Sequence, residues 1–221
     1  MSGTQPYVRA RGVARRFGAQ VALETTDLDV RPGESVALIG PNGAGKSTLL
    51  SILAGALEPS EGTVERSDGA RAGWVPQRPA YYDRLTAREN LELFARLEGE
   101  PVPTEAAEKL VRLFDVPPDR PASTLSVGNR QRLNVAIALL GAPRVLLLDE
   151  PTASLDPGQR RRLWDTVGVV RDAGGAVVFA TQNLEELELY ASRVVVLQRG
   201  RVTFDGAVAE YERVHAAQVF S

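Results

Sequence analysis

The sequence predicts an α/β fold built on a mostly parallel sheet, with short antiparallel strands ahead of it and a helical insertion within it. Three observations carry this. A glycine-rich turn at Gly40–Ser47 separates an apolar run from a second, helix-like one. A later apolar run, Val145–Leu148, ends in paired carboxylates, Asp149 and Glu150. Between Leu85 and Phe114 the apolar residues fall at helical spacing.

Taken in order, Tyr7–Val13 and Val21–Val30 alternate as short strands around turns such as Arg31-Pro32-Gly33. Ser35–Ile39 reads as a buried strand, and Thr48–Leu53 as the helix after the glycine-rich turn. Leu91, Leu93, Phe94 and Leu97, then Ala107, Leu110, Val111 and Phe114, mark the helical stretch. Thr86 with Glu89 forms a capping box at its start. Pro101-Val102-Pro103 and Pro117-Pro118 punctuate it. After Asp156 come a helix at Gly158–Val170, a strand at Ala176–Ala180, a helix at Leu184–Tyr190 and a strand at Arg193–Leu197. Glu185, Glu186 and Glu188 read as the solvated face of that second helix, and Arg160-Arg161-Arg162 as another solvated face. The segment beyond Gly206 is expected to be a polar tail carrying His215, with no appended regulatory domain. No repeat or low-complexity segment is present.

Composition narrows the chemistry. The 221 residues hold 26 basic and 28 acidic side chains, a formal charge of -2, without the basic excess of a general nucleic-acid binder. There is no cysteine, which excludes disulfides and thiolate metal sites, and a single histidine excludes a His-pair zinc site. The longest apolar runs fall far short of the roughly 20 residues that span a bilayer, and no export signal comes after Arg15-Arg16. A cytoplasmic protein is expected.

Only two lysines occur, Lys46 and Lys109. Lys46 lies in Gly40-Pro41-Asn42-Gly43-Ala44-Gly45-Lys46-Ser47, which fits G-x-x-x-x-G-K-[ST]. Glycines let backbone amides approach a polyphosphate, and the helix N-terminus adds its positive dipole end. Lys46 is expected to reach the β- and γ-phosphates, and the Ser47 hydroxyl to ligate Mg²⁺. The phosphate loop needs a metal-holding acid at the C-terminal end of a neighbouring strand. Asp149 supplies it, and Glu150 is placed to accept a proton from, or orient, the attacking water.

About twenty residues before Asp149 stands Leu125-Ser126-Val127-Gly128-Asn129-Arg130-Gln131-Arg132. It resembles the LSGGQ signature of ATP-binding cassette (ABC) ATPases. Further landmarks of that family appear in order. Phe17 stands where the family has its adenine-stacking aromatic, Gln77 in Trp74-Val75-Pro76-Gln77 matches the Q-loop glutamine, and Ser154-Leu155-Asp156 matches the D-loop. Thr181-Gln182 occupies the switch position, and Val194–Arg201 looks like the closing hairpin. The resemblance runs from about Tyr7 to Gly206. It implies a P-loop NTPase core with a mostly parallel sheet, an N-terminal antiparallel β subdomain and an inserted helical subdomain. As a single ABC ATPase domain over 1–221, the core would take 1–83 and 136–221, and the helical subdomain about 84–135. It also implies that ATP contacts Phe17, the Gly40–Thr48 loop and Gln77, that Mg²⁺ is held by Ser47, Gln77 and Asp149, and that Glu150, Lys46 and Gln182 carry the catalysis. Ser126, Gly128 and Asp156 would act on nucleotide held by a second subunit in a head-to-tail dimer.

Two departures matter. Val127 stands where the family has glycine, and Asn129 replaces glutamine. Val127 either packs in an ordinary conformation at the start of its helix or holds its loop away from the phosphate. Gln182 stands where the family usually has histidine. Glutamine donates a hydrogen bond but does not titrate near neutral pH, so a slow ATPase with a long-lived closed state is expected. The resemblance places the chain with exporters, through Tyr81–Leu91, and implies a membrane-spanning partner on a separate chain that holds it at the inner face of the cell membrane. Two alternatives stand beside this: a slow or degenerate regulatory subunit, and a soluble non-transport ABC ATPase.

Overall fold

The computed structural model describes residues 5–219, with side chains described through Val214. Strands β1 (Val8–Phe17) and β2 (Gln20–Val30) pair as a long antiparallel hairpin, longer than the short strands expected, because register shifts within β1 absorb its breaks in alternation. β3 (Ser35–Ile39) and α1 (Lys46–Ala54) flank the glycine-rich turn. β4 (Glu61–Arg66) returns to pair with β1, giving a three-stranded sheet of order β2-β1-β4. β5 (Ala72–Val75) leads into the helices α2 (Ala87–Leu97) and α3 (Pro103–Phe114), a single 3-10 turn at Ala122–Thr124, and α4 (Val127–Ala138).

The chain then alternates: β6 (Val145–Asp149), α5 (Pro157–Asp172), β7 (Ala176–Ala180), α6 (Leu184–Tyr190), and a closing antiparallel pair, β8 (Arg193–Gln198) with β9 (Arg201–Ala207). Residues past β9 form α7 (Val208–Val219) rather than the polar tail expected of them. Tyr211 docks that helix, with its ring 5.6 Å from Phe204 of β9. His215 belongs to α7, and its side chain lies outside the described residues.

The main sheet has the order β5-β6-β7-β3-β8-β9, parallel except at β8–β9. Its central strands β6, β7 and β3 are buried on both faces and read as unbroken apolar runs, whereas the edge strand β9 alternates between half-buried and exposed. Val36, Leu38, Val145, Leu147 and Val178 pack toward α1 and the β1–β2 hairpin. Ala37, Ile39, Leu146, Leu148 and Phe179 pack toward α2–α5, where they meet Leu91, Phe114, Leu133 and Trp164. The capping box forms as read: Thr86 Oγ1 accepts from the Glu89 amide at 3.2 Å, and Glu89 Oε2 accepts from the Thr86 amide at 2.8 Å. α4 runs straight through residue 135, where the helical insertion was expected to end.

The sheet order positions the site. β6, β7 and β3 are neighbours, so their C-terminal ends deliver three segments side by side: Asp149-Glu150, Thr181-Gln182 and the turn that begins at Gly40.

Candidate functional site

The turn after β3 is wound tightly against its neighbours. Gly40 and Gly45 take φ of 147° and 105°, and a Cβ at either would strike backbone, at 2.1 Å from Leu197 O and 2.7 Å from Ala22 O respectively. Only glycine fits both the conformation and the space. The Lys46 side chain is buried and folds back on its own loop, donating to Gly40 O at 2.7 Å and Pro41 O at 3.2 Å. This ammonium is thereby held among main-chain groups in advance of any anion.

A cavity of about 510 Å³ opens over this loop. It is lined by Asn42, Gly43, Ala44, Gly45, Lys46, Ser47 and Thr48, together with Phe17, Gln77, Glu150 and Gln182. Phe17 is 49% exposed, with the Arg15 guanidinium 4.6 Å from its ring centroid. Gly40 and Pro41 lie beneath, as the carbonyls that receive Lys46.

Asp149 ends β6 and is buried. Burial pushes its carboxyl above the usual carboxylate range; a hydrogen bond with Ser47 and the charge of Lys46 act the other way, and neighbouring Glu150 adds to the rise. One of its oxygens, Oδ1, is buried without a hydrogen-bond partner. A buried, unpartnered carboxylate oxygen beside a serine hydroxyl is a hard-oxygen donor set that suits Mg²⁺, which takes few protein ligands where phosphates complete its shell. Gln77 lines the same cavity and adds a third oxygen donor.

Glu150 adopts φ 50°, uncommon for a residue with a Cβ, at the turn that leaves β6. Its amide donates to Ala180 O at 3.1 Å, tying it to the end of β7. Gln182, just past that end, donates from Nε2 to Glu150 Oε1 and to Asn42 Oδ1, both at 2.9 Å. One neutral amide thus bridges the glycine-rich loop and the carboxylate.

Ser126, Gly128 and Asp156 do not line this cavity. Ser126 caps α4, its Oγ accepting from the Asn129 amide at 3.2 Å. Asp156 caps α5, its Oδ1 accepting from the Gln159 amide at 2.9 Å. Gly128 sits against the Gln159 side chain, where a Cβ would come within 2.8 Å. Val127 is the first residue of α4 and is 45% exposed, so it has an ordinary place at the start of the helix but does not pack.

Two readings of the sequence are corrected here. Glu186 is not on a solvated face: it is 2% exposed, whereas Glu185 and Glu188 are exposed as expected, together with Leu184 and Leu189. Glu186 is buried beside Leu187 because Thr152, Thr181 and Trp164 offer it donors that no leucine could use. Arg160 is half-buried, with Nε unpartnered, whereas Arg161 and Arg162 are exposed. Asn90 gave no sequence signal, yet it is fully buried, accepts from the Tyr82 amide and donates to Tyr82 O, Leu85 O and Thr86 O.

The family profile described as ABC transporter matches residues 23–153. The chain belongs to the ABC transporter family, as an ATP-binding domain. This ABC domain is 42% identical over 194 residues to ATP-binding cassette sub-family A member 7 of Mus musculus, covering 81% of the chain and 9% of that protein. It is 38% identical over 214 residues to daunorubicin resistance ATP-binding protein DrrA3 of Streptomyces coeruleorubidus, covering 90% and 67%. It is 35% identical over 223 residues to ribose import ATP-binding protein RbsA 2 of Rubrobacter xylanophilus, covering 90% and 43%. The chain therefore spans a small part of its mammalian relatives and about two thirds of the Streptomyces one. Among solved structures, a dimeric post-hydrolysis state of the ATP-binding cassette MJ0796, bound to ADP and Pi, matches with TM-score 0.82 and 25% identity over 91% of this chain and 98% of that one. Among the described residues no helix is long and apolar enough to cross a membrane.

Proposed function

We propose that this chain is the ATP-hydrolysing subunit of an ABC exporter, closing as a dimer on ATP and opening on ADP. One observation carries the reading. A single chain gathers Lys46, Glu150 and Gln182 around one cavity, with Asp149 buried beside the cavity's Ser47, yet leaves Ser126 and Gly128 outside it. A site complete in its phosphate loop and carboxylates but lacking its signature is what a head-to-tail dimer would complete, each subunit lending Ser126, Gly128 and Asp156 to its partner's nucleotide. That the MJ0796 cassette is dimeric supports a dimer.

In this reading Lys46 leaves Gly40 O and Pro41 O for the β- and γ-phosphates, and Phe17 stacks on the base. Ser47, Gln77 and Asp149 would hold Mg²⁺, which when bound neutralises charge on the phosphate oxygens. Glu150 takes the proton of the attacking water as the bond from the γ-phosphorus to ADP breaks. Gln182 fixes Glu150 through Nε2 without exchanging a proton, so turnover is slow and the closed state long-lived. The core and the helical subdomain divide as the resemblance implies, at about residues 83 and 135. A separate membrane-spanning subunit holds the domain at the cytoplasmic face, receiving it at Tyr81–Leu91, where Tyr82 is 57% exposed. The Streptomyces relative's name, daunorubicin resistance, supports export.

The test pairs hydrolysis with assembly. Wild type is expected to release phosphate from Mg-ATP above the level of Lys46→Ala, while Glu150→Gln loses turnover and runs as a dimer with ATP but not ADP in size-exclusion chromatography. Phosphate release no faster than that of Lys46→Ala, or a Glu150→Gln protein that stays monomeric in ATP, overturns the reading. Drug efflux that requires both this chain and its membrane partner tests the direction.

A further inference from the structure

Glu186 is a charged side chain that the proposed chemistry does not use, and it is 2% exposed. Burying a carboxylate is costly unless donors meet it. Every donor the structure gives it is neutral: Thr152 Oγ1 to Oε1, Thr181 Oγ1 to Oε2 at 2.6 Å, and Trp164 Nε1 to Oε1 at 3.4 Å.

The donors are placed by their positions in the chain. Thr181 immediately precedes Gln182, and its amide is fixed to Leu38 O at 3.2 Å. Thr152 lies two residues beyond Glu150, and its carbonyl accepts from the Leu155 amide at 3.0 Å, at the start of the segment ending in Asp156. Between Thr152 and β6 sits Glu150 at φ 50°. A backbone in that region persists only where its surroundings hold it. Trp164 braces the arrangement from α5, edge-on to Phe179 at 4.6 Å and stacked on Tyr190 at 4.7 Å.

We infer that Glu186 is a positioning residue: its buried carboxylate clamps the hydroxyls of Thr152 and Thr181, holding Glu150 and Gln182 in register across the γ-phosphate position. The inference rests on the hydrolytic reading above. Through Thr152 the same carboxylate anchors the loop that would reach the partner subunit with Asp156. The clamp acts on geometry and touches neither nucleotide nor water.

The experiment is carried out on the full chain, with steady-state phosphate release and nucleotide binding measured on each variant. Glu186→Gln keeps the side chain's shape but offers an amide where one hydroxyl must donate. It is expected to lower kcat about tenfold, the ordinary cost of removing an orienting partner, with KM for ATP within about twofold. Thr152→Ser, which keeps the hydroxyl, should retain wild-type kcat, and Thr152→Val should match Glu186→Gln. The double variant Thr152→Val/Glu186→Gln should be no slower than either single one, because both cut the same link. Wild-type kcat in Glu186→Gln, equal rates in the serine and valine variants, or additive losses overturn the clamp. If Glu186→Gln does not fold, the Thr152 pair decides alone. Wild type no faster than Lys46→Ala would instead sink the hydrolytic reading.

Discussion

Replacing Gln182 by alanine removes two hydrogen bonds with different consequences. The bond to Asn42 Oδ1 is between neutral, exposed groups and contributes little net free energy, because water replaces it. The bond to Glu150 Oε1, at 2.9 Å, goes to a carboxylate, and hydrogen bonds to charged groups contribute about 1.5–3 kcal/mol. Gln182 is exposed, which favours the lower half of that range. About 1.5–2 kcal/mol converts to a roughly 10- to 30-fold fall in kcat at about 1.36 kcal/mol per decade. KM for ATP should hardly move, since Lys46 and the loop amides are untouched. Gln182→His restores a titratable ring at the position and is expected to raise kcat above wild type with the nucleotide off-rate unchanged. Steady-state phosphate release and single-turnover decay of the nucleotide-bound state measure both. If the alanine variant keeps wild-type kcat, the amide bridge does not orient Glu150; if the histidine variant is no faster than wild type, the glutamine is not what slows turnover.

Lys46→Ala empties a buried cation position. Loss of the charge-assisted phosphate contact should weaken binding of Mg-ATP at least about 100-fold in a titration with a fluorescent nucleotide; undiminished affinity refutes its role. Asp149 tests the opposite sign. Its folded pKa is raised by burial, so its contribution to stability is fully present below the unfolded value near ~3.9 and is lost as pH rises through the folded one. At neutral pH the ionised group is therefore a burden on the nucleotide-free fold. Asp149→Asn should raise the thermal midpoint of that state, by about 2–4 °C for each kcal/mol relieved, and should abolish the Mg²⁺ dependence of nucleotide binding. A lower midpoint at pH 7, or retained Mg²⁺ dependence, contradicts the account.

Much of this protein was legible because the relevant physics is local. The turn at Gly40–Ser47, the capping box of Thr86 and Glu89, and the strands Ser35–Ile39 and Ala176–Ala180 each depend on residues within a few positions of one another. Periodicity placed Glu185 and Glu188 of α6 in solvent but missed Glu186, which is buried beside Leu187 because its donors come from distant segments. It was silent on α7, whose docking depends on Phe204 and Tyr211 meeting across the end of β9.

By itself the sequence singled out the side chains proposed to carry the chemistry: a lysine in a glycine-rich turn, paired acids at a strand end, and a glutamine in place of histidine. Only the tertiary structure decided what they touch. Gln182 meets Asn42 across 140 residues and Glu150 across 32, and Glu186 meets Thr152 across 34. Those meetings arise because β3 lies beside β7 and β7 beside β6. Strand order is set by how two apolar faces are jointly buried, and no short window of sequence contains that information.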